Sequence, residues 1–135
     1  MRHRREPTEL RLIRLDEELE VFRLTATDDP ADPVFEDSFR SRYELDLPPR
    51  RNTPEEGHAA LLMGVSVFRR VEQAMETGLR VRARGRNIGD YVARLRLRPD
   101  EGFDLADTGS RGHLTIWGDS VKLAASVVDI VPLQQ

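Results

Sequence analysis

The eight residues Tyr91-Val92-Ala93-Arg94-Leu95-Arg96-Leu97-Arg98 constrain this chain more than any other segment. Their alternation is strict: Tyr91, Ala93, Leu95 and Leu97 fall on one side, Val92 and three arginines on the other. A side-chain period of two is the pleat of a β-strand. An arginine-bearing face calls for a sheet with one side buried and the other solvated, which is the habit of antiparallel sheets.

Other segments supply partners for such a strand. Leu19-Glu20-Val21-Phe22-Arg23-Leu24-Thr25 is β-branched and aromatic, and pairs as a hairpin with a shorter run from Leu10 to Leu15. Met63 to Phe68 has the character of a buried strand, Phe103 to Leu105 of a brief one, and Val127 to Val131 of one stopped by Pro132. Asp32 before Pro33 is an N-cap oxygen followed by an N1 proline, and Phe35, Phe39 and Tyr43 then share a helical face. Thr53-Pro54-Glu55-Glu56 is a capping box that opens a short helix through about Leu62. Arg69 to Arg84 carries Val71, Ala74, Met75 and Leu79 at helical spacing, weakened late by Gly78 and ended by Gly85 to Gly89. Asp119 caps a last helix in which Val121, Ala124 and Val128 share a face.

The order is ββα(α)βαβ(β)βαβ: an α+β domain, with three to four helices packed against a mixed or antiparallel twisted sheet. A chain of 135 residues, 39% hydrophobic, fits one such domain over 10–135, behind a flexible polar tail at 1–9.

Composition removes several chemistries. With no cysteine there is no disulfide, thiolate metal site or cysteine nucleophile, and three histidines, at 3, 58 and 113, argue against a histidine-rich metal site. No apolar run approaches the roughly 20 residues that span a bilayer, and no hydrophobic segment follows the charged start, so a cytoplasmic protein is expected. The net charge of −3 hides segregation. Residues 69–98 hold nine arginines against Glu72, Glu76 and Asp90, a surplus of six positive charges that leaves −9 elsewhere. Such a segment either binds anions or pairs with the acidic remainder of the chain.

Walker-type phosphate loops, G-x-G-x-x-G, nucleophile elbows, H-E-x-x-H and EF-hand loops are all absent from the sequence. The candidates that remain are polar residues on strands. Gly112-His113-Leu114-Thr115-Ile116-Trp117-Gly118-Asp119 places His113, Thr115 and Trp117 on one face and Leu114 and Ile116 on the other. Arg23 and Ser66 sit in mid-strand, and Arg94 and Arg96 line the arginine face. Brought into one cleft, the guanidinium groups would hold an anion, the indole would stack a planar ring and His113 would donate or accept a proton. Left apart, each has an ordinary structural role. The function expected is a small binding or accessory module for a partner protein or an anionic small molecule, with no cofactor. Nucleic acid is disfavoured by the acidic balance and by an aromatic content of only 6%.

Two blocks, Val21-Phe22-Arg23-Leu24 and Gly64-Val65-Ser66-Val67-Phe68 running into a helix, resemble the first two motifs of ADP-ribosyltransferase-like domains. That resemblance implies the alternative function, an ADP-ribosyltransferase-like enzyme using NAD, with Arg23 and Ser66 as contacts to it. The family's late-strand glutamate has no counterpart beyond Asp129 and the Asp100-Glu101 turn, so it implies binding more than transfer. The stretch from Gly64 to Pro132 also resembles small bacterial proteins of unknown function.

Overall fold

The strict alternation of Tyr91–Leu97 is realised as β4, a long strand next to one edge of a seven-stranded sheet. The computed structural model describes residues 11–41, 44–45, 64–108 and 112–134. The tail at 1–9, Tyr43, the loop at 47–52, the capping box at 53–56, His58 and the helix expected to Leu62 lie outside these residues.

Within them the strands are β1 (Arg11–Ile13), β2 (Leu19–Thr25), β3 (Val65–Phe68), β4, β5 (Asp104–Asp107), β6 (His113–Trp117) and β7 (Val127–Pro132). The spatial order is β1-β5-β6-β3-β2-β4-β7, and every pairing is antiparallel. The mixed alternative is thereby settled as antiparallel. The hairpin expected between the first two strands does not form, because β1 pairs with β5 while β2 lies between β3 and β4.

Among the described residues three helices accompany the sheet: α1 (Pro33–Asp37), α2 (Val71–Ala83) and α3 (Ser120–Ala125). Both aspartate caps operate, Asp32 accepting from the Val34 amide at 3.0 Å and Asp119 from Val121 and Lys122 at 2.8 and 3.2 Å. The first helix ends at Asp37, short of the run expected from its aromatics, yet Phe35 and Phe39 still meet edge to face at 5.3 Å. In α3 the buried apolar residue is Leu123, whereas Val121 is 60% exposed and Val128 belongs to β7. The face expected from Val121, Ala124 and Val128 therefore does not exist, since the chain leaves the helix before Val128 is reached.

Alternation places an apolar layer on each side of the sheet. On one side Val21, Leu95, Leu97, Leu114 and Ile116 pack with Phe35, Phe39 and Leu123 of α1 and α3. On the other, Leu24, Phe68 and Val92 pack with Ala74 of α2 and with Leu133. The arginine side of β4 is thus solvated only in part, because Val92 is covered by the helix. Gly78 explains how α2 sits so close: a Cβ there would stand 2.9 Å from Leu24 Cδ2 and 3.0 Å from Leu133 Cδ1. The residue that weakens the helix is the one that lets it seat.

Candidate functional site

The side of the sheet that carries α2 changes character row by row along β2, β4 and β7. Register aligns Leu24, Val92 and Val131 in an apolar row beneath the helix. The next row is Phe22, Arg94 and Asp129, and beyond it Glu20 lies opposite Arg96. Apolar cover thus gives way to a mixed row and then to an ionic one within the length of one strand.

A cleft of about 240 Å³ opens at this transition. Phe22, Val71, Val92 and Val131 form its apolar walls, and Glu20, Arg94 and Asp129 its polar ones. Val71, at the first turn of α2, is where the helix stops covering the sheet.

The arginines are largely neutralised by the acids of the preceding segment. Arg94 Nε lies 3.5 Å from Glu20 Oε2, Arg96 reaches Glu18 and Glu20 at 3.9 Å each, and Arg98 reaches Glu18 at 3.7 Å. These are long, half-exposed ion pairs of the kind that contribute little to stability. Two groups stand out from the ladder. Arg94 Nε is buried and has no hydrogen-bond partner among the described residues, the 3.5 Å approach of Glu20 being too long to satisfy it. Asp129 is the cross-strand neighbour of Arg94, but among the described residues no cation lies within ion-pair distance of it, and its Oδ1 accepts only from the Ile130 amide at 3.0 Å.

The seven residues singled out from sequence fall in three places. Arg94 and Arg96 lie on the α2 side of β4, where Arg94 walls the cleft. Ser66, His113, Thr115 and Trp117 lie on the same side of β3 and β6, with Ser66 opposite Thr115. Two strands carrying Phe22 and Phe68 intervene, and at about 4.8 Å per strand β4 and β6 are some 14 Å apart. Arg23 projects from the opposite side of the sheet, where its Nε donates to the Ser38 carbonyl and its guanidinium to the Ser66 carbonyl, both at 2.7 Å. It ties the end of α1 to β3. Arg23 and the Ser66 side chain therefore do not face one space.

The polar face of β6 is internally bonded. The Thr108 hydroxyl lies 3.0 Å from His113 Nδ1 and 2.8 Å from the Thr115 hydroxyl, and His113 meets Phe68 edge to face at 5.6 Å. Trp117 Nε1 would stand 3.0 Å from a Cβ on Gly64, so the glycine leaves the indole room to lie over β3. Hydroxyl and imidazole here serve each other and hold β6 against the loop that follows β5.

Reasoning from sequence passed over Phe22, Glu20 and Val131, and weighed Asp129 only as a stand-in for a glutamate. The signal for Glu20 was its place in the alternation of β2. Its position opposite Arg96 depends on a strand pairing that no local pattern announces.

This chain matches no family model, no curated protein and no solved structure. Among the described residues no cluster of metal-ligating side chains occurs, and no helix is long and apolar enough to cross a membrane. Function has to be read from the cleft and its chemistry.

Proposed function

We propose that this protein is a binding module that takes a small organic acid into the cleft beside α2. The observation that carries this is Arg94, a residue that walls an open, largely apolar cleft and whose Nε is buried without a hydrogen-bond partner among the described residues. An unsatisfied buried donor is costly, and a carboxylate accepting from it forms a charge-assisted hydrogen bond. The walls of Phe22, Val71, Val92 and Val131 suit the hydrocarbon part of such a ligand.

Thermal denaturation of the full chain tests this, because a ligand of the folded state at ten times its Kd stabilises by about 1.4 kcal/mol, a few degrees in Tm. Aliphatic carboxylates of four to six carbons, amino acids included, are expected to raise Tm, and Arg94→Met to abolish the rise. The same assay carries NAD and single-stranded RNA as further arms. No rise with any carboxylate, or a rise that survives Arg94→Met, overturns the proposal. A rise with NAD alone would transfer the function to the nucleotide that the strand motifs resemble.

A further inference from the structure

Resting on that reading, we infer that the ligand is a zwitterion, an α-amino acid with an aliphatic side chain of valine to leucine size. Arg94 and Asp129 are direct cross-strand neighbours of opposite charge, yet no ion pair joins them. Opposite charges in that position ordinarily pair across the strands. Here each keeps binding capacity unspent: Arg94 has a buried donor without an acceptor, and Asp129 has a carboxylate without a cation among the described residues. A molecule bearing an acceptor anion and a donor cation a few bonds apart satisfies both at once, its carboxylate on Arg94 and its ammonium on Asp129.

Charge balance agrees. The cleft walls carry Arg94 against Glu20 and Asp129, a balance of −1, and Arg96 beside Glu20 brings the whole to neutral. A site that is neutral as a whole but polarised along one row favours a ligand of the same description over a plain anion. Size sets the remainder. About 240 Å³ between apolar walls is room for a small ligand, below the range of pockets that take drug-sized molecules. The apolar row of Val92 and Val131 is where the ligand's branched end lies.

Titration calorimetry of the full chain with L-leucine, 4-methylpentanoate and 3-methylbutylamine tests this, the last two lacking the amine and the carboxylate respectively. Leucine is expected to bind at least tenfold more tightly than either. Asp129→Asn, at an exposed position of the edge strand β7, is expected to fold normally by circular dichroism and to erase the preference for leucine over 4-methylpentanoate. Equal binding of leucine and 4-methylpentanoate to the unsubstituted chain overturns the zwitterion while leaving an acid-binding cleft. So does a preference that Asp129→Asn leaves intact. Binding of neither overturns the cleft itself.

Discussion

Strands β4 and β6 show the same alternation in sequence, one face apolar and one polar, and they put their polar faces on the same side of the sheet. Their fates differ. On β6, His113 and Thr115 share short hydrogen bonds to the Thr108 hydroxyl. On β4, the ion pairs are long and Arg94 Nε is left over at the edge of a cleft. Polar residues on a strand mark a site only where their bonding is incomplete, and the histidine and tryptophan that catch the eye in sequence are less informative than one guanidinium nitrogen.

This contrast can be broken experimentally, and the largest effect concerns what β4 owes to its other face. Leu95, fully buried among the α1 and α3 contacts, should cost about 2–5 kcal/mol when changed to alanine, measured by chemical denaturation. A loss below 1 kcal/mol would mean that this face of β4 is not packed into the core.

Gly78→Ala comes next, and its sign is diagnostic. Helix propensity alone predicts a gain of about 1 kcal/mol. The 2.9 Å approach to Leu24 predicts instead a loss of about 1–3 kcal/mol as α2 is pushed off the sheet, and with it a changed cleft. A rise in Tm would remove the close seating of α2.

On β6, Thr108→Val takes away the hydroxyl that His113 and Thr115 share. Thr115 is only 4% exposed, so the loss should be about 1–2 kcal/mol by denaturation. A neutral outcome would place β6 on the same loosely bonded footing as β4.

The smallest effect is expected at Arg94. Its methionine variant keeps an aliphatic stem in the wall of the cleft and deletes a buried donor that has no hydrogen-bond partner among the described residues, so stability should change by less than about 1 kcal/mol in either direction. A loss as large as that of Leu95→Ala would make Arg94 a structural residue and not a ligand contact.

The local patterns of this chain were legible without coordinates because they are set by local physics. Pleat alternation identified the two faces of β4 and β6, the oxygens of Asp32 and Asp119 capped the helices that follow them, and the spacing of Val71, Ala74 and Met75 put α2 on the sheet. An α+β domain followed from these alone, although the sheet dominates it and α1 and α3 are only five and six residues long. What tertiary structure alone decided was who stands beside whom. β1 left its expected hairpin for β5, β2 was inserted between β3 and β4, and β7 came in as the far edge. These are contacts across long separations, chosen by which buried faces close a common core, and no residue spacing encodes them. The cleft exists only because that choice set Glu20 and Asp129 on either side of Arg94 and stopped α2 at Val71.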